Sequence, residues 1–296
     1  MSSIYRNWFL ASRPWSFAMT AISISVGSAL GAVDGRFSWP GYALTLIGMI
    51  AVHAATNLLN DYFDVRTGVD TLEVSTAQYR PHPLLEGKLS PAAVYTVAGG
   101  LYSAAALLGL YLAATRGCLI LGLALLGAAA SITYTAPPFK YKYKALGELS
   151  VFLMWGPLMV EGAYFVQRQT LNMKAFWVSL PFGVLVTLVL LVNNIRDVHY
   201  DQRKGIRTLP MLIGRHRAKA LYRALVLVAY AGIVCMSLVG PLRFWSLIVL
   251  LSLPMAYRLL RQMDDVLPSD ADARTAQLDT AFGVLLVISL VLEGLN

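Results

Sequence analysis

Nine apolar windows of roughly 20 residues run through the chain at 15–33, 39–58, 91–115, 117–136, 149–166, 175–193, 223–242, 244–260 and 279–295, separated by short polar breaks. About 20 consecutive apolar residues let a helix cross the hydrocarbon core of a bilayer. Charged residues make up only 14% of the chain, against about 25% in an ordinary soluble domain, so a water-covered globule would lack polar surface. The expected fold class is therefore all-α: a polytopic membrane protein with about nine transmembrane helices. Pro157, Pro181 and Pro254 fall inside windows, where neighbouring helices can satisfy the freed backbone groups. The window at 244–260 is short enough to be tilted or re-entrant. Arg6 and Arg13 precede the first window as in a signal peptide, but its apolar stretch exceeds the usual length of about 7 to 15 residues, so a retained first helix is expected. Cys118 and Cys235 stand alone in apolar runs, which excludes a disulfide scaffold or a cysteine-based zinc cluster. No linker or repeat divides the chain, and residues 1–296 are expected to form a single integral-membrane domain.

If the N-terminus and the loops after the even-numbered windows share one side, that side holds 19 of the 24 Lys and Arg residues. The other side holds Arg36, Arg116, Arg168, Lys174 and Arg243. The positive-inside rule places the basic side in the cytoplasm and the C-terminus outside, pointing to the inner membrane of a bacterial or archaeal cell. The net charge of +8 is then a signal of topology and of contact with the lipid bilayer. Nucleic acid is not an expected partner, because no basic stripe with interleaved aromatics lies on a soluble face.

Two windows on the basic side end in carboxylates and amides. The second runs into NLLNDYFDVRTGVD, with Asn57, Asn60, Asp61, Asp64 and Asp70; the sixth runs into NNIRDVHYDQRKGIRTL, with Asn193, Asn194, Asp197 and Asp201. On continuous helices, Asn57, Asp61 and Asp64 follow i, i+4, i+7, while Asn193, Asp197 and Asp201 follow i, i+4, i+8, so each set forms one polar stripe. Carboxylates clustered near hydrocarbon repel one another unless they are solvated or hold a cation between them. Solvated helix ends, ion-paired to Arg66, Arg196 and Arg203, are the plain alternative; two matching stripes at one surface favour the cation. Oxygen donors without His or Cys suit Mg2+, which characteristically binds one or two carboxylates together with waters and substrate phosphates. Asp61, Asp64, Asp197 and Asp201 are the candidate metal and catalytic residues. Asn57, Asn60, Asn193 and Asn194 are candidates to orient them or to meet substrate.

The fourth window leads into TYTAPPFKYKYKALGE, where Lys140, Lys142 and Lys144 alternate with Tyr141 and Tyr143. Lys142, with Arg196, Arg203 and Lys204 beside the second stripe, are candidate contacts to a diphosphate held through Mg2+. An allylic polyprenyl diphosphate has an apolar tail that belongs in lipid and a head that belongs at such a charged mouth. Metal and basic groups would stabilise the departing diphosphate, and a dry cavity would shield the carbocation. Tyr134, Trp155, Tyr164 and Trp177 could offer ring faces to it. A cation-coupled transporter is the rival reading, but it predicts polar residues through to the far side, and His53 and Glu161 are the main ionisable residues in mid-window.

The strings NDYFDVRTGVD, YTAPPFKYKYKALGE and NNIRDVHYDQRKGIRTL together resemble UbiA-type intramembrane aromatic prenyltransferases, with SRPWSF a weaker match and the likeness running from Arg13 to Gly214. The resemblance implies an all-helical fold around a central cavity. It also implies that Asp61, Asp64, Asp197 and Asp201 bind Mg2+ and the prenyl diphosphate. Gly68 stands where many branches carry a further Asp. The GVD ending at Asp70, with NNIRD and GIRTL, looks most like the branch that prenylates 1,4-dihydroxy-2-naphthoate on the way to menaquinone; 4-hydroxybenzoate or a lipid alcohol are the alternative acceptors. YRPHPLLEGKLSP and PMLIG depart from that branch's pattern.

Overall fold

Short local signals set where the helices begin. In the computed structural model, which describes residues 3–295, α1 (Ser3–Ala11) is separated from α2 (Phe17–Val33) by Arg13 in the left-handed conformation (φ 56°) and a 3-10 turn opened by Pro14. A residue before proline is disfavoured in the helical region, so the chain turns there. The turn aims Arg13 at the end of α3 (Trp39–Arg66). That helix starts where Ser38 caps it, its hydroxyl accepting from the Gly41 amide at 3.2 Å, with Pro40 in the first turn. After α4 (Ser75–Tyr79), Ser90 and Pro91 open α5 (Pro91–Arg116) in the same way.

The remaining elements are α6 (Leu119–Thr135), α7 (Gly147–Leu153), a π-type turn at Met154–Leu158, α8 (Met159–Arg168), α9 (Met173–Arg196), α10 (Val198–Arg203), α11 (Leu209–Ile213) and α12 (Arg215–Val239). A 3-10 segment, Phe244–Ser252, then joins α13 (Leu253–Gln262), and α14 (Ala271–Gly294) closes the chain. The architecture is all-helical, and no strand forms among the described residues. Among the described residues, eight helical segments are long and apolar enough to cross a membrane, and α6 is a shorter apolar helix of 17 residues. All nine windows are thus helical. The short eighth is built as the 3-10 segment plus α13. Helix ends differ most from the windows on the charged side: α3 continues to Arg66 instead of 58, while α12 and α14 start at Arg215 and Ala271 instead of 223 and 279. Hydropathy follows contact with lipid, and a helix continues past that point when its polar face finds partners.

Lipid cannot drive helices together by the hydrophobic effect, so close packing carries much of the association. The main core joins α2, α8, α9, α12 and α14 through Leu30, Val160, Phe182, Leu188, Tyr222 and Phe282. Glycines allow the backbones to touch. A Cβ on Gly27 would lie 2.1 Å from the Val160 carbonyl, and one on Gly183 would lie 2.8 Å from the Gly156 Cα at the bend between α7 and α8. Outward-facing Leu107, Leu125, Leu227 and Val239 give the bundle an apolar exterior.

The far end of the bundle gathers the sparse polar residues. Lys174 lies 3.7 Å from Asp34 and 3.4 Å from Glu293; Tyr164 donates to Asp34 at 2.6 Å, and Arg116 to the Ser38 hydroxyl at 2.6 Å. Tyr164, a candidate cavity aromatic, therefore belongs to this end. Glu161 belongs there too, accepting from the Asn172 amide at 3.4 Å.

Candidate active site

Opposite that end, a cavity of about 990 Å³ opens between α2, α3, α7, α9 and α14. Its body is apolar, lined by Met19, Val151, Val186, Val189, Val284 and Leu285, with Trp155 and His53 on one wall. Its mouth is lined by Asn57, Asn60, Asp64, Asn193, Asn194, Asp197 and Asp201. Residues from the two acidic strings thus converge on one space.

The first string supplies a face centred on Asn60 and Asp64. Asn60 Nδ2 donates to Asp64 Oδ2 at 2.9 Å, one helical turn away. Lys142, from the segment between α6 and α7, donates to both Asn60 Oδ1 (2.9 Å) and Asp64 Oδ2 (2.7 Å), and Tyr143 also donates to Asp64. Burial works against the Lys142 ammonium, but Asp64, Tyr143 and Asp70 outweigh it and hold its pKa above the ordinary lysine value. Of the three alternating lysines, Lys142 lines the cavity. Asp61 lies beside this face and does not line the cavity; its carboxylate pairs with Arg13.

The second string does not form one continuous helix. α9 ends at Arg196, Asp197 turns the chain with φ −93° and ψ 8°, and α10 carries Asp201. The bend nonetheless keeps Asn193, Asp197 and Asp201 on the cavity, and Asn194 donates to Glu148 of α7 at 2.8 Å. Burial, reinforced by the charge of Asp197, pushes the Asp201 carboxyl up to about 7.

The candidate cations separate. Arg196 is already engaged: it donates to Asp197 at 2.9 and 2.7 Å and to Asp272 at 2.8 Å, and it does not line the cavity. Arg203 and Lys204 are exposed beside the Tyr200 ring, also outside the cavity. Sequence reasoning missed Arg80, which does line the mouth. Its guanidinium stacks 5.6 Å from the Trp15 ring and 5.9 Å from the Tyr79 ring, with no carboxylate partner among the described residues. Its signal lay in YRPHPLLEG, a segment noted only for departing from a pattern. Among the candidate aromatics, Trp155 lines the cavity, Tyr134 lies over Lys142, and Trp177 is half exposed on the exterior.

The segment from Thr67 to Ser90 closes the mouth. Ser75 donates to Asp197 at 2.6 Å, Tyr79 to Asp272 at 2.7 Å, and Tyr200 to the Val69 carbonyl at 2.6 Å. The Tyr200 bond ties the first acidic string to the second, and the Ser75 and Tyr79 bonds pin the segment that follows the first string to Asp197 and to α14. Burial, with Asp272 beside it, pushes the Tyr79 hydroxyl up to about 12, keeping it a donor. The mouth therefore offers carboxylate and amide oxygens from α3, α9, α10 and the turn at Asp197, beside lysine and arginine donors. That donor set fits a hard divalent cation shared with phosphate oxygens.

Residues 20–283 match the UbiA prenyltransferase family. The chain belongs to that family. It is an integral membrane protein and an enzyme of the prenyltransferase class, as the resemblance implied. It is 29% identical to a 1,4-dihydroxy-2-naphthoate octaprenyltransferase of Bacillus subtilis (strain 168), over 95% of this chain and 91% of the relative. It is 32% identical to UbiA prenyltransferase domain-containing protein 1 of Dictyostelium discoideum, over 96% of this chain and 87% of that protein. The fold matches a UbiA homolog from Archaeoglobus fulgidus bound to GPP and Mg2+, with a TM-score of 0.66 and 16% identity over 96% of this chain and 99% of the other. A homolog from Aeropyrum pernix K1 matches with a TM-score of 0.69 and 15% identity, over 93% and 97% of the two chains.

Proposed function

We propose that residues 1–296 act as a single domain that transfers a polyprenyl group from an allylic diphosphate to 1,4-dihydroxy-2-naphthoate in menaquinone biosynthesis, with Mg2+ as cofactor. The observation that carries this reading is one cavity joining a carboxylate mouth at Asp64, Asp197 and Asp201 to an apolar body at Val186, Val189 and Leu285. An amphiphilic diphosphate fits both ends of it. The naphthoate acceptor is supported by the Bacillus subtilis relative's function and by the GVD, NNIRD and GIRTL strings.

Asn60, Asp64, Asp197 and Asp201 are the proposed metal-holding groups at the cavity, with Asp61 at its edge; Asn57, Asn193 and Asn194 complete the polar rim. Bound there, Mg2+ would neutralise diphosphate charge and stabilise the leaving group. Lys142 and Arg80 face the same mouth and donate to the oxygens on which charge develops as the C1–O bond breaks. The apolar walls keep water from the allylic cation until its C1 bonds to a ring carbon of the acceptor. With naphthoate, the carboxyl group at that carbon then leaves as carbon dioxide. The basic end of the bundle, carrying the N-terminus and the mouth, faces the cytoplasm in this reading, by the excess of Lys and Arg there. Transport is disfavoured because the cavity body gives way to the packed core of Leu30, Phe182 and Leu188.

Purified protein in lipid nanodiscs, given labelled polyprenyl diphosphate and a panel of 1,4-dihydroxy-2-naphthoate, 4-hydroxybenzoate and lipid alcohols, tests this directly. Metal-dependent prenylated naphthoquinol with release of carbon dioxide is expected. Product from another acceptor alone would replace the substrate, and no product from any acceptor would overturn the reading.

A further inference from the structure

One corner of the cavity, below the carboxylate mouth, carries a chain of hydrogen bonds with a single open end. His53 and Trp155 line it, their rings 5.1 Å apart, with Phe17 5.5 Å behind His53. The direction of each bond follows from what its partners can do. The Ser16 hydroxyl donates its one proton to the Arg13 carbonyl at 2.7 Å, so its oxygen accepts from His53 Nε2 and from Asn57 Nδ2, each at 3.2 Å. His53 Nε2 therefore carries the proton of the neutral ring, and Nδ1 accepts from the Thr20 hydroxyl at 2.8 Å. Thr20 in turn accepts from Trp155 Nε1 at 3.1 Å. The second Asn57 Nδ2 proton goes to the Ser12 carbonyl at 2.9 Å, a partner that only the nitrogen can serve. Asn57 is thereby held with Oδ1 as its free end, without a partner among the described residues. The donors of Ser16, Thr20, His53, Asn57 and Trp155 are all spent within the protein, and one acceptor is left on a cavity-lining side chain.

We infer that the aromatic acceptor docks in this corner through a free hydroxyl that donates to Asn57 Oδ1, so that the site takes the hydroquinone form of the acceptor and not its quinone. The inference rests on the reading that the chain prenylates a hydroxylated aromatic acid. A quinone carbonyl or a methoxy oxygen brings no proton to a lone acceptor, whereas a hydroxyl completes it. In 1,4-dihydroxy-2-naphthoate the C1 hydroxyl bonds the adjacent carboxylate, which leaves the C4 hydroxyl for Asn57. Met19 and Trp155 line the same corner and offer apolar surface to the rings. Asn57 precedes Asp64 by about two helical turns, roughly 10 Å along α3. A ring anchored there lies on the apolar side of the mouth, in the space an allylic tail enters from its diphosphate.

Binding without turnover tests this. Equilibrium dialysis of the purified chain in lipid nanodiscs, kept anaerobic with Mg2+ and no prenyl donor, compares 1,4-dihydroxy-2-naphthoate with 1-hydroxy-4-methoxy-2-naphthoate and with 1,4-naphthoquinone-2-carboxylate. Empty nanodiscs correct for partition into lipid. The dihydroxy form should bind about tenfold or more tightly than either of the others, the worth of one hydrogen bond and of the oxygen left unpaired without it. Asn57→Leu should erase that difference while binding of Mg2+ and of inorganic diphosphate holds. Equal binding of the dihydroxy and methoxy forms by the unsubstituted protein, which needs no variant to fold, overturns the inference. So does a preference that survives Asn57→Leu. Prenyl transfer to the naphthoate without this preference removes the corner alone; the preference without transfer to any acceptor removes the proposed reaction alone.

Discussion

Lys142 Nζ lies 2.7 Å from Asp64 Oδ2, a carboxylate that is 1% exposed, so a protein cation already occupies the place where the first acidic string meets the cavity. Removing one member of a buried ion pair strands the other charge. Lys142→Met should destabilise the protein by about 3 kcal/mol, read as a lower unfolding temperature in detergent. Mg2+ should recover more of that loss in the variant than it adds to the unsubstituted protein. Equal stabilisation of both by Mg2+ would separate Lys142 from the metal position.

Arg80 lines the mouth without a carboxylate partner, stacked on Trp15 and Tyr79. A preorganised guanidinium with free donors suits phosphate oxygens. Arg80→Ala should raise KM for the prenyl diphosphate about tenfold, equivalent to ~1.4 kcal/mol of binding, with Arg80→Lys recovering part of it. An unchanged KM would place the diphosphate elsewhere.

Ala281 lines the cavity beside Val284 and Leu285 on α14. Ala281→Phe fills space meant for the apolar tail, so kcat/KM for long polyprenyl donors should fall more than for a ten-carbon donor. Parallel losses for both donors would show that the tail runs along another wall.

How much of this was legible in the sequence depends on what each residue answers to. Asp64 and Asp197 were legible because a carboxylate at the end of an apolar window is out of place on its own terms. The role of Arg196 was not, because its engagement depends on Asp272 of α14, a partner 76 residues away that the string NNIRD does not contain. Asp61 and Asp64 looked equivalent on an ideal helix; Arg13, turned by its left-handed backbone, draws Asp61 aside. The break at Asp197 escaped notice because the spacing i, i+4, i+8 reads the same across a bend that keeps its residues on the cavity. The closing segment from Thr67 to Ser90 was invisible to hydropathy, since single side-chain bonds from Ser75 and Tyr79 hold it.

Gly27 faces the Val160 carbonyl, where an added Cβ would sit 2.1 Å from the oxygen and 2.9 Å from the Ala163 Cβ. Because the obstacle is backbone, α2 and α8 must separate. Gly27→Ala should cost about 3 kcal/mol in detergent unfolding, and Gly99→Ala on the open face of α5, where nothing lies within 4 Å, should cost far less. Similar losses at the two positions would contradict close helix packing as the reason for glycine here.

The central claim is that carboxylates from two distant strings hold the metal and diphosphate together in one mouth. Asp64→Ala and Asp197→Ala, made separately and together, test it through Mg2+-dependent prenyl transfer in nanodiscs. Each single substitution is predicted to reduce turnover by about a thousandfold, the loss of several kcal/mol of charge stabilisation, and the double substitution should add little further. Turnover by the double variant at the rate of the unsubstituted protein would contradict the account.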